Sequence, residues 1–180
     1  SAGWRVGLPS FVNADGAKPP VFIAVGGGKG GVGKSLVSAN LSTRLAQTGK
    51  KVLAIDLDIG GANLHTYFGM NAPKYNLADA FVHERKTLAE SIISTPVEGV
   101  ELLAGGREEA WGGMSTINSE TLKKLMTSVL KVKEERGVDV VVVDLGAGTN
   151  PVTLDIFSIA NLGLITVLPE PTSLKMPTYS

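Results

Sequence analysis

The chain has 180 residues, with 17 Lys plus Arg against 17 Asp plus Glu and no formal net charge, whereas proteins that hold nucleic acid by bulk phosphate neutralisation carry a basic excess. The absence of cysteine excludes disulfides, a thiolate zinc site, a cysteine-ligated iron–sulfur cluster and a thiol nucleophile within these residues. Glycine is abundant at 22 residues, and the 43% hydrophobic content supports a folded core; no G-x-y period is present, which excludes collagen.

Residues 1–20 carry Pro9, Pro19, Pro20, Gly3, Gly7 and Gly16 and read as a loose leader. Residues 21–25 are a continuous apolar run, as in a strand buried on both faces. Residues 35–47 place Val37, Leu41 and Leu45 at a spacing of four, a helix face ended by Gly49. Residues 52–55 read as a second strand, 77–85 and 88–93 as short helices, and 100–103 as a weaker strand. Residues 119–136 form an amphipathic helix, with Leu122, Leu125, Met126, Val129, Leu130 and Val132 inward, Ser119 as its cap and Gly137 as its stop. A strand at 138–143, a helix at 151–160 with Pro151 in its first turn and a strand at 164–168 complete the pattern. This alternation predicts an α/β fold, a mostly parallel sheet covered by helices on both faces. No apolar run reaches the ~18 residues that span a bilayer, and no signal segment opens the chain. A cytoplasmic domain is the expectation.

Six of the glycines are clustered, at positions 26, 27, 28, 30, 31 and 33. The segment from Gly28 through Lys29, Gly30, Gly31, Val32, Gly33, Lys34 and Ser35 fits G-x-x-x-x-G-K-[ST] between a predicted strand and a predicted helix. Successive backbone N–H groups must converge to hold phosphate oxygens, and side chains would block that approach. The following helix adds the partial positive charge of its N-terminus. Lys34 supplies a point charge to the β- and γ-phosphates, and Ser35 a hydroxyl for Mg²⁺. Gly26, Gly28 and Gly31 also satisfy a loose dinucleotide fingerprint, with Asp56 or Asp58 at the distance of a ribose-binding acid. That reading leaves Lys34 and Ser35 unexplained.

Asp56 and Asp58 end the second strand, and Asp144 ends the valine run at 140–143. In a parallel α/β sheet, ligands bind outside the carboxyl ends of the strands. All three aspartates are therefore expected at the edge that holds the glycine loop, although an aspartate after a strand also serves as a cap or turn residue. His65 and His83 lack partners at metal-ligand spacing and read as surface or packing residues. Trp111 is expected to be partly buried in a glycine-rich loop. The charged run at 131–136 reads as a solvated helix face.

With these residues in hand, the run from Lys29 to Ser35 resembles the deviant Walker A motif of MinD/ParA-type P-loop ATPases, in which Lys29 is the additional signature lysine. Asp56 and Asp58 resemble the family's switch I, and Asp144-Leu145-Gly146-Ala147-Gly148 its Walker B and switch II. The stretch 58–65, the run 144–149 and residues 169–173 are closer to the MinD and FlhG (FleN) branch than to ParA chains. The resemblance implies a three-layer P-loop domain over residues 21–180, with further family elements beyond Ser180. It implies ATP or ADP with Mg²⁺, contacted by Gly28, Lys29, Gly30, Gly31, Val32, Gly33, Lys34, Ser35, Leu36 and Gly148. Lys29, Lys34 and Asp58 would serve catalysis, and Ser35, Asp56 and Asp144 the metal. The implied activity is a slow, partner-regulated hydrolysis of ATP to ADP and phosphate. An ATP-dependent homodimer, with Lys29 reaching across it, would act on an unidentified regulatory protein to set the position or number of a division site or flagella. DNA binding is disfavoured by the charge balance and by Ile59-Gly60 after Asp58, where ParA chains carry Pro-Gln. Membrane binding finds no support in these residues, and the iron–sulfur carrier branch is weakened by the missing cysteine pair. A DNA- or cargo-partitioning ATPase and a nucleotide-binding fragment with little catalysis are the alternatives.

Overall fold

The computed structural model describes residues 20–83, 85–114 and 117–167. Six strands form one sheet: β1 (Val21–Gly27), β2 (Val52–Leu57), β3 (Ile93–Ser94), β4 (Val100–Leu103), β5 (Val140–Ala147) and β6 (Leu162–Ile165), in the order β3-β4-β2-β5-β1-β6. All pairings are parallel except β3 with β4. The helices are α1 (Lys34–Gln47), α2 (Leu64–Tyr67), α3 (Leu77–Phe81), α4 (Leu88–Ser91), α5 (Ser119–Arg136) and α6 (Pro151–Ile159), with a 3₁₀ turn at Glu108–Trp111.

Strand alternation divides the core in two. Phe22, Ala24, Leu53, Ile55, Val141 and Val143 face one side and pack with Leu122, Leu125, Met126 and Val129 of α5 and Ile156 of α6. Ile23, Val25, Ala54, Val140 and Val142 face the other, with Ala39 of α1 and Leu64 of α2. Both faces of the central strands are thus covered, as their unbroken apolar runs require. This is the three-layer α/β architecture expected from the sequence.

Several boundaries differ from expectation. Residues 77–85 and 88–93 hold only the short α3 and α4, and Ile93 leaves the helix to pair with Leu102 in β3. Capping boxes start both helices: Asn76 accepts from Ala78 N at 2.8 Å, and Thr87 from Glu90 N at 3.2 Å. Ser119 does not cap α5; Asn118 does, its Oδ1 accepting from Thr121 N at 2.8 Å. Strand β5 runs to Ala147, and β6 starts at Leu162. Arg136, read as part of a solvated face, is half-buried and donates to Glu101 Oε1 at 2.6 Å and to the Ala89 carbonyl at 2.7 Å. Trp111 is fully buried rather than partly so, its Nε1 donating to the Gly105 carbonyl at 2.7 Å. The leader reading of residues 1–20, apart from Pro20, and the run 168–173 lie outside the described residues.

Candidate functional site

Strand β1 ends at Gly27, and the chain loops to Lys34 at the start of α1. Gly27 is held tightly: a Cβ there would lie 2.8 Å from the Thr166 carbonyl oxygen and 2.9 Å from Val32 Cγ2. Beyond it the loop opens. A Cβ on Gly28, Gly30, Gly31 or Gly33 would meet nothing within 4 Å. Gly31 and Gly33 have φ of 74° and 86°, a region costing an L side chain about 1–2 kcal/mol. The glycines therefore answer to backbone conformation and to space for a ligand, not to neighbouring protein atoms. Gly26, by contrast, is still inside β1, where a Cβ would lie 2.8 Å from the Phe157 ring. Its packing role removes the first glycine from the loose dinucleotide fingerprint.

Lys34 is only 5% exposed, and its Nζ donates to the Lys29 carbonyl at 3.4 Å, so its charge sits beneath the loop. Lys29 itself lies exposed on the loop. Leu36 turns outward and is 50% exposed.

The sheet register brings the acids together. Asp56 of β2 lies opposite Asp144 of β5, and Asp144 is flanked on its other side by Val25 of β1. Both carboxyls are buried. Asp56 is fully committed: one oxygen accepts from Asp58 N at 3.1 Å and the other from Leu64 N at 3.0 Å, which ties the start of α2 to the sheet. Asp144 is half committed. Its Oδ1 accepts from Ser38 Oγ at 2.9 Å, whereas Oδ2 is buried without a hydrogen-bond partner. Burial raises both carboxyls above the ordinary aspartate range, helped at Asp56 by the Asp144 charge; at Asp144, the Ser35 and Ser38 hydroxyls oppose the rise.

Asp58 lies between two glycine loops. A Cβ on Gly61 would come within 3.1 Å of its carboxylate, and one on Gly146 within 3.0 Å of Oδ1. A cavity of about 70 Å³ lies beside it, lined by Asp58, Gly146, Asn150 and Thr153 among others, with room and polar partners for water. Gly148, at φ 96°, donates its N–H to the Gly27 carbonyl at 3.2 Å, joining the β5 loop to the base of the glycine loop.

Every proposed site residue except the outward-facing Leu36 thus stands at the carboxyl edge of β1, β2 and β5. Sequence reading missed Ser38, whose signal was a second serine one helical turn after Ser35. Among the described residues, no group of three or more His, Cys, Asp or Glu side chains could hold a metal ion alone. His65 and His83 join no such group, and burial holds His65 below the ordinary histidine range. No helix among the described residues is long and apolar enough to cross a membrane.

Comparison with known proteins places the chain. The family profile described as "ParA: NUBPL iron-transfer P-loop NTPase" matches residues 20–177. The chain is 34% identical over 167 residues to an iron-sulfur cluster carrier protein of Bacillus subtilis, covering 91% of this chain and 44% of that protein. It is 35% identical over 158 residues to the antiactivator FleN of Pseudomonas aeruginosa, covering 87% and 53% respectively. Among solved structures, it resembles the septum site-determining protein MinD complexed with Mg-ADP from Pyrococcus horikoshii at TM-score 0.64 and 28% identity, covering 85% of this chain and 60% of that one. It also resembles the MinC:MinD cell division complex of Aquifex aeolicus at TM-score 0.66 and 32% identity, covering 85% and 58%. The chain spans about half the length of the curated relatives it matches. A profile match over nearly the whole chain, on a glycine loop and an aspartate edge built as described, makes this chain a member of the ParA family of P-loop NTPases.

Proposed function

We propose that the chain binds Mg²⁺ with ATP and hydrolyses it as a nucleotide-dependent switch of the MinD/FlhG kind, with residues 21–180 handling the phosphates. The observation that carries this reading is a pairing: an open glycine cradle above a buried Lys34, next to a buried Asp144 whose Oδ2 has no partner. A buried carboxylate oxygen left bare is costly and calls for a cation or a donor. Ser35, in the first turn of α1, stands one helical turn before Ser38, whose hydroxyl meets the same carboxyl group. A hydroxyl, a carboxylate reached directly or through water, and phosphate oxygens are the donor set that suits Mg²⁺. Bound there, the ion would offset the phosphate charge and fix its geometry.

The protein's own residues supply the rest. Backbone N–H groups of residues 28–34 and the N-terminus of α1 hold the phosphate oxygens. Lys34 meets the charge that spreads over them as the terminal phosphoryl leaves ADP. Asp58 accepts a hydrogen bond from the attacking water, and the cavity beside it gives that water a place. The water oxygen bonds to phosphorus, the bond to the ADP oxygen breaks, and the water proton passes to Asp58 and then to phosphate. Asp56 shapes the metal surroundings by holding the switch I backbone. Gly148 lets the switch II loop answer to the terminal phosphate. Lys29, exposed at the mouth of the loop, reaches the nucleotide of a second copy, so ATP joins two chains. The FleN and MinD relatives favour a role in setting the number or place of a cellular structure through a protein partner.

ATP binding and turnover by the longest native form of the protein test this reading. Lys34→Ala should lose binding, and Asp58→Ala should keep binding and lose turnover. A wild-type protein that binds neither ATP nor ADP with Mg²⁺ would overturn it. The similarity to an iron-sulfur cluster carrier supports a second reading, cluster transfer. Because these residues contain no cysteine, thiolate ligands would have to come from elsewhere. Iron and sulfide bound after anaerobic reconstitution would favour it.

A further inference from the structure

The inward face of α1 is not its aliphatic face. Ser38 and Ser42 are 0% exposed and Ala39 is 3% exposed, whereas Val37, Leu41 and Leu45 are only partly buried. Small side chains let the helix lie close to the sheet, but a buried hydroxyl needs a partner. Ser42 finds an ordinary one, donating to the Ser38 carbonyl four residues back at 2.7 Å. Ser38 does otherwise. Its hydroxyl leaves the helix and donates to Asp144 Oδ1 on β5 at 2.9 Å.

That bond has a geometric consequence. An aspartate side chain turns easily about its last torsion, in a broad two-fold well. A charge-assisted hydrogen bond to Oδ1 removes that freedom. It leaves Oδ2 as the oxygen without a partner. Ser35, the hydroxyl proposed for Mg²⁺, lies three residues before Ser38 on the same side of α1. We propose that Ser38 is a positioning residue for Mg²⁺-nucleotide: by engaging Asp144 Oδ1 it keeps Oδ2 aimed at the metal and its waters. This role rests on the nucleotide-site reading above and goes one layer behind it. It also explains a polar residue at a fully buried helix position where alanine would pack as well.

The test is calorimetric titration with ADP, once in excess Mg²⁺ and once in EDTA, on the wild type, Ser38→Ala and Ser42→Ala. Ser42→Ala removes an equally buried hydroxyl from the same helix face and controls for general loosening of α1. Ser38→Ala should cut the Mg²⁺-dependent gain in ADP affinity by about tenfold, the usual size of effect for groups that orient metal ligands. Its affinity in EDTA should stay within about twofold of wild type, because the glycine loop is untouched. Ser42→Ala should keep the full Mg²⁺ gain. An unchanged Mg²⁺ gain in Ser38→Ala, or an equal loss in Ser42→Ala, overturns the role of Ser38. A wild-type chain that binds ADP no better with Mg²⁺ than with EDTA overturns the nucleotide-site reading itself.

Discussion

Asp144→Asn should make the nucleotide-free protein more stable at pH 8 while removing its response to Mg²⁺. Burial lifts the Asp144 carboxyl from 3.8 to about 6. A carboxyl whose folded-state pKa is raised binds its proton more tightly in the native state. Its contribution to stability is therefore greatest below about pH 4 and is lost as pH rises through about 6. At pH 8 the lift corresponds to about 3 kcal/mol of destabilisation, at 1.36 kcal/mol per unit. The amide has no charge to desolvate and keeps an oxygen for the Ser38 hydroxyl. Its NH₂ group enters the space around Oδ2, and an unsatisfied donor there would return about 1–3 kcal/mol. The expected net gain at pH 8 is thus about 0–2 kcal/mol. About half of the charge relief is gone at pH 5, where the wild-type carboxyl is mostly protonated. Urea unfolding in EDTA at pH 5 and pH 8 measures both values. Addition of Mg-ADP should then stabilise the wild type by mass action more than ADP in EDTA does, and should stabilise the variant no more than ADP in EDTA does. Two results would refute the reasoning: a variant less stable relative to wild type at pH 8 than at pH 5, or one that Mg-ADP stabilises as much as it does the wild type.

Lys29→Ala should bind ATP with Mg²⁺ near wild-type affinity yet fail to dimerise with it; sedimentation velocity that still shows the ATP-dependent dimer would remove the cross-subunit role. Gly105→Ala should cost about 1–3 kcal/mol in urea unfolding, because the new Cβ would lie 2.5 Å from the Asp56 carbonyl oxygen; an unchanged midpoint would contradict the close approach of these segments. Trp111→Phe keeps a smaller aromatic ring and removes the donor to the Gly105 carbonyl at 2.7 Å. Leaving that carbonyl unpaired in the interior should cost about 1–3 kcal/mol, and a loss below about 0.5 kcal/mol would mean that water replaces the indole.

What the sequence displayed and what it concealed have a common physical origin. The valines of β5 were legible because a strand covered on both faces must be apolar at every position. The glycine loop was legible because few backbones other than a phosphate cradle need so little side chain between a strand and a helix. Strand β3 was hidden because two residues carry no period of their own; Ile93 becomes strand only because Leu102 is there to pair with it. Asn118 and Ser119 are both good caps, and the choice between them is made by where α5 sits on the sheet. Arg136 was concealed in a charged run because its partners, Glu101 and the Ala89 carbonyl, come from other elements.

Helix α1 is the instructive case. The spacing of Val37, Leu41 and Leu45 did report a helix, but not the face that lies deepest. Hydrophobic period marks where apolar side chains recur. It does not mark where two elements approach most closely, and there the side chains must be small. On α1 the closest line is Ser38, Ala39 and Ser42, which a polarity scale turns toward water. Ser38 becomes an interior residue only through Asp144, 106 positions away, and Asp144 can sit beneath that helix as an anion only if something answers its second oxygen. The burial of the serine and the bare oxygen of the aspartate are therefore one fact. Neither makes sense on its own strand or helix, and together they support the cation site proposed beside the glycine loop.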